Sequence, residues 1–129
     1  MSQENVETAR AEVEAVRHRD WQALSDLWDP LVLIRTDPNW PEQGVYGREN
    51  ALAWMRGVLA SGGHDFFAES MREIGDRVLM HMRWQMRGDQ SGAQGDMRYV
   101  QIDTFREGRI ILLELFLDEA QALRAVGLD

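Results

Sequence analysis

No cysteine occurs in the 129 residues, which excludes a disulfide framework and any thiolate metal site. No apolar run reaches bilayer-spanning length. The opening Met1-Ser2-Gln3-Glu4-Asn5-Val6-Glu7 carries acids where a secretory leader would carry an apolar core. Basic residues are in deficit, 14 against 22 acids, for a net charge of −8. A surface of that sign repels phosphate backbones and anionic lipid, so neither nucleic acid nor a membrane is an expected partner. His18, His64 and His81 have no metal-ligand spacing with one another or with nearby acids. Gly62-Gly63 lacks the strand-to-helix setting of a phosphate loop, and no Ser-His-Asp pattern or nucleophile elbow is visible. No metal or cofactor is therefore expected, and the expected location is the cytoplasm.

What is present suffices for one domain, 1–129, with 44% hydrophobic residues and enough chain to bury a core. Val6, Ala9, Val13 and Val16 recur at helical spacing after a Ser2 cap and predict an amphipathic first helix to about His18. Asp20 caps a short second helix carrying Trp21, Leu24, Leu27 and Trp28, closed by Asp29-Pro30. The run 31–37 reads as a buried strand, broken by Pro38, Trp40 and Pro41. Gly47-Arg48-Glu49 leads into a third helix with Leu52, Met55 and Leu59 on one stripe, stopped at Ser61-Gly62-Gly63.

Beyond residue 63 the hydrophobic period changes to two. Strands are expected at 64–73, 77–87, 97–106 and 109–117, with turns at Gly75-Asp76 and Glu107-Gly108 and a polar loop over 88–96. Asp118 caps a last short helix that Gly127 ends. Helices first and strands afterwards describe an α+β domain with its N-terminal helices on one face of an antiparallel sheet. The last strand, Ile110-Ile111-Leu112-Leu113-Glu114-Leu115-Phe116-Leu117, is apolar on both faces. A second copy packed sheet to sheet through Val100, Ile102, Leu112 and Phe116 would cover the outer face and make a homodimer; the chain's own loops are the alternative cover.

Three stretches resemble the SnoaL-like branch of the nuclear-transport-factor-2-like superfamily: 15–24, Gly44-Val45-Tyr46-Gly47-Arg48-Glu49, and Glu107-Gly108-Arg109-Ile110 with Leu117-Asp118-Glu119-Ala120. The resemblance implies a curved sheet that wraps with the N-terminal helices around a deep, cone-shaped apolar pocket. Within the superfamily the ketosteroid isomerases give the sharpest local match. Asp37-Pro38 stands where their general base lies, and Ile102-Asp103 where an acid donates a hydrogen bond to the enolate. Where they carry a catalytic tyrosine on the first helix, this chain has Glu12.

The implied function is acid–base isomerisation, cyclisation or dehydration of a hydrophobic carbonyl compound by Asp37 and Asp103; a non-catalytic binding or dimerisation module of the same fold is the alternative. Tyr99, Arg35, Trp28, Trp54, Met82, Trp84, Phe105 and Leu113 are the candidate binding residues. Each acid also has a structural reading: Asp37 as a turn aspartate before proline, Asp103 as the partner of Arg35 or Arg83. Arg35 would either bind a ligand or neutralise one of the acids.

Overall fold

The computed structural model describes residues 2–39, 44–60, 63–87 and 94–128. Helix α1 (Ser2–Arg17) and helix α2 (Trp21–Leu27) lead into strand β1 (Trp28–Arg35), a short β2 (Gly44–Tyr46) and helix α3 (Arg48–Ala60). Four long strands follow, β3 (Gly63–Ile74), β4 (Arg77–Arg87), β5 (Gln94–Arg106) and β6 (Arg109–Phe116), and then helix α4 (Glu119–Ala125). The sheet order is β2-β1-β6-β5-β4-β3. The expected α+β architecture is present, on a curved open sheet with one departure from the antiparallel pattern: β1 runs parallel to β6. Alternation along a strand reports which face is buried and carries no information about the neighbour's direction.

The expected elements form close to their expected bounds. Asp20 accepts from the Ala23 amide to cap α2, and Asp118 from the Ala120 amide to cap α4. Glu107 and Gly108 both adopt positive φ, 52° and 81°, as a tight two-residue hairpin turn requires. Two boundaries move. Strand β1 starts at Trp28, so that indole belongs to a strand, and it ends at Arg35 before Asp37 is reached. The three residues of β2 are too few to show a period. The Trp40-Pro41 break, the Ser61-Gly62 stop and residues 88–93 of the expected loop lie outside the described residues.

Helices α1 and α3 pack on one face of the sheet and α4 on the other. The inner layer joins Ala9, Val13 and Val16 of α1 and Met55 and Leu59 of α3 to Val78, Met80, Met82 and Trp84 of β4, the face that the alternation of β4 predicts. On the outer face Ala122 and Val126 of α4 cover Leu79, Val100 and Ile102. Two of the four residues expected at a sheet-to-sheet contact are thus covered within the chain, while Leu112 and Phe116 stay half-buried. Among the described residues no helix is long and apolar enough to cross a membrane.

Candidate functional site

The inner face of β5 presents Tyr99, Gln101, Asp103 and Phe105 to the helices, and all four are buried. Asp103 is 0% exposed. No arginine meets it: Arg35 is 59% exposed in its side chain and pairs with Glu114 at 3.2 Å on the outer face, and Arg83 pairs with Asp96 at 2.6 Å. Register explains both, because odd positions of β1 and β4 point away from α1 and α3. Arg35 therefore neither neutralises the acids nor lines the pocket.

The partner of Asp103 is Glu12, on α1 and 2% exposed. One amide holds the two acids together: Gln101 Nε2 donates to Asp103 Oδ1 at 2.9 Å and to Glu12 Oε1 at 3.1 Å. Trp28 Nε1 donates to Glu12 Oε2 at 2.7 Å. Asp103 Oδ2 is buried with no hydrogen-bond partner among the described residues. Burial pushes the Glu12 carboxyl well above its ordinary range, and the charge of Asp103 and a hydrogen bond to it push it further. Burial also raises Asp103, against the hydrogen bonds of Glu12 and Gln101. Two facing carboxyls out of water resist ionising together, so the pair favours sharing a proton and titrates as a unit. Burial, then the charges of Glu12 and Asp103, hold the Tyr99 phenol well above its usual range, so it remains a hydrogen-bond donor.

Raised acids give stability the opposite pH dependence to a salt bridge. The folded protein keeps a proton that the unfolded chain, with values of 4.5 and 3.8, releases. This contribution is complete below about pH 4 and is lost as pH rises through the folded values. Thermal melts are expected to fall by roughly 3 °C or more between pH 5 and pH 8. In Asp103→Asn, where the like charge is gone, the slope should shrink; an identical slope in that variant would place its origin elsewhere.

Glu12 was legible as an anomaly. It lies three residues after Ala9 and four before Val16, on the apolar stripe of α1. Asp37 stands apart from the pair. It is 1% exposed, and its two oxygens accept backbone N–H groups, Oδ1 from Asn39 at 2.8 Å and Oδ2 from Leu117 at 2.9 Å. Leu113 is the β6 neighbour of Asp103, so Leu117 is four residues, roughly 13 Å of strand, further along.

Next to the acid pair a narrow apolar pocket of about 20 Å³, room for one water, lies between α3 and the sheet. Of the expected binding residues it brings together Trp54, Trp84, Tyr99 and Leu113. Trp28, Met82 and Phe105 belong to the packed core around it. Tyr99 and Gln101 also line the wall, which is almost wholly apolar, with the Tyr99 ring 6.2 Å from that of Phe66. Gln101, absent from the expected binding set, joins the two parts of the site: it faces the pocket and holds the acids behind it.

Other chemistries find less. A Ser-His-Glu string exists that the sequence does not suggest, with Ser70 Oγ 3.0 Å from His81 Nδ1 and His81 Nε2 2.9 Å from Glu119 Oε1. It lies exposed on the outer face, away from the acid pair, and the hollow that Ser70 borders between α1 and β3 is open and lined by Arg10, Glu14, Arg17 and Glu69. Among the described residues no group of three His, Asp or Glu side chains could hold a metal ion. All 14 basic residues are arginine, so these 129 residues offer no lysine for imine chemistry.

Nothing matches among curated protein sequences. Solved structures do. The chain is similar to TerC, crystallised with polyporic acid, at 19% identity over 95% of this chain and 97% of that one, with a TM-score of 0.78. It is similar to a SnoaL-like polyketide cyclase (so described) from Jannaschia sp. CCS1 at 22% identity over 99% and 94%, TM-score 0.77. A protein of ketosteroid isomerase-like fold from Catenulispora acidiphila, in complex with trimethylamine, matches at 15% identity over 95% and 94%, TM-score 0.75. These likenesses share the helix-wrapped sheet described above, and the SnoaL-like domain model matches residues 9–113. The chain belongs to the SnoaL-like domain family.

Proposed function

We propose that the protein is an acid–base enzyme acting on a hydrophobic carbonyl compound, with the Glu12–Asp103 pair as its proton-transfer unit. The observation that carries this reading is the pair itself: two buried acids bridged by one amide, with no arginine paired to either among the described residues. A pair that shares one proton can give a proton and take one. In an isomerisation the ionised oxygen removes a proton from the carbon next to the carbonyl, the protonated group or the Tyr99 phenol donates to the enolate oxygen, and the proton returns to the conjugated carbon. Asp103 Oδ2 is the oxygen left over for a ligand. Reaching it requires the Gln101 side chain to turn aside.

That last condition favours a second reading. Because Gln101 covers the acids from the pocket side, the same network can serve a binding protein by stitching α1 to β1 and β5. Cyclohex-3-enone separates the two. An enzyme converts it to cyclohex-2-enone, followed by ultraviolet absorbance of the conjugated product, and Asp103→Asn lowers the rate about a hundredfold or more. No acceleration over buffer by the native protein, or equal rates in the native and Asp103→Asn proteins, would leave the binding reading.

A further inference from the structure

Every polar group of Trp28 is paired. The residue is buried where α2 gives way to β1. Its backbone N–H donates to Leu24 O at the end of α2, and its carbonyl accepts from Arg48 Nη1 at 3.2 Å. The same guanidinium nitrogen donates to Ser25 O at 3.3 Å, so the start of α3 clips the chain at this junction. With its main chain held at both groups, the residue aims its indole at Glu12, and Nε1 donates to Oε2 at 2.7 Å. That is the short end of the N–H···O range, a length typical of bonds to a charged partner.

The donors on the acid pair are unequally divided. Gln101 gives one N–H to each acid and so favours neither. Trp28 touches Glu12 alone, and an indole nitrogen only donates, so it favours the ionised form of that one carboxyl. Without it Glu12 would keep the proton. Glutamic acid is ordinarily the weaker acid, 4.5 against 3.8, a preference of about fivefold. Burial and the charge of Asp103 push Glu12 higher still. A hydrogen bond to an ionised acceptor opposes this by roughly tenfold or more. We propose that Trp28 is a positioning residue of the acid pair: its fixed indole N–H brings Glu12 level with Asp103, so that one proton passes between them instead of resting on Glu12. No arginine acts on either acid, and the Tyr99 phenol keeps its proton, so nothing else in the cluster tips the balance. The role rests on the reading of the pair as a proton-transfer unit, and its mark is where the proton lies, with or without turnover.

Side-chain carboxyl ¹³C signals of the full-length protein, assigned with Glu12→Gln and Asp103→Asn, report where the proton lies. As pH falls and the pair takes up its first proton, the Glu12 and Asp103 signals are expected to move together, each by about half of its full range. The Trp28 indole ¹H signal should move in the same step, because its acceptor loses charge. In Trp28→Phe the first proton is expected to settle on Glu12, in preference to Asp103 by roughly tenfold. A native first step confined to one acid, an indole signal that stays still while Glu12 titrates, or the absence of any state with one proton in the pair would each overturn the proposal. So would a Trp28→Phe protein with the native division between the acids; if that variant fails to fold, the native carboxyl and indole signals decide alone. Cyclohex-3-enone turnover is scored separately. A divided proton without turnover removes the acid–base reading and leaves Trp28 as the residue that sets the proton. Turnover with the proton on one acid alone removes the role of Trp28 and leaves that reading.

Discussion

Truncating Glu12 to alanine is expected to lower folding stability by about 3 kcal/mol, read from urea unfolding with an unchanged slope. The carboxyl accepts from Trp28 Nε1 and Gln101 Nε2 in a place without water. Removing it strands the indole donor outright and leaves Gln101 with Asp103 alone. The vacated volume adds a cavity term, since a packed core relaxes only in part. One effect runs the other way, because Asp103 loses its like-charged neighbour. That relief is smaller than the loss of two buried hydrogen bonds together with the packing of the side chain. Glu12→Gln keeps the volume and one acceptor and should cost less than half as much. If the alanine variant unfolds at the native urea concentration, the network has no structural role and Glu12 is retained for chemistry alone.

The second large effect belongs to Asp37. Asp37→Asn is expected to cost about 2–3 kcal/mol, a drop in Tm on the order of 10 °C. Both oxygens of the aspartate are acceptors for backbone donors, and the two donors are 78 residues apart in sequence, Asn39 after the proline and Leu117 at the end of β6. Asparagine has one acceptor oxygen. Its amide nitrogen must face the other N–H, donor against donor, whichever way the side chain turns. Conversion of cyclohex-3-enone at a temperature where the variant is folded should stay near the native rate. A large rate loss with native stability would reverse this assignment and return Asp37 to the reaction.

The contrast between the two aspartates marks how far the sequence could be read. The α+β architecture was legible, because β4 alternates cleanly at Val78, Met80, Met82 and Trp84 and the caps at Asp20 and Asp118 are local signals. Asp103 was legible as a buried acid from its place between Gln101 and Phe105. Its partner was harder to see, since 91 residues separate Glu12 from Asp103 and only the folded sheet brings α1 over β5. Arg35 was misplaced for a simpler reason. Counting two residues from Asp37 assumes one continuous strand, whereas β1 ends at Arg35 and Asp37 belongs to the turn beyond it.

The parallel pairing of β1 with β6 also sets the order in which the molecule is completed. β1 has only the three residues of β2 on one side, and on the other its neighbour is a strand about eighty residues later. The β3–β4 and β5–β6 hairpins close over short loops, so they form from local encounters. β1 gains its one long-strand neighbour only when β6 exists to receive it, at the cost of a long closure. On the ribosome that edge of β1 therefore waits for β6, while α3 and β2 are already there to pack on it. The Glu12–Asp103 contact, which needs α1 on the finished sheet, is among the last to assemble.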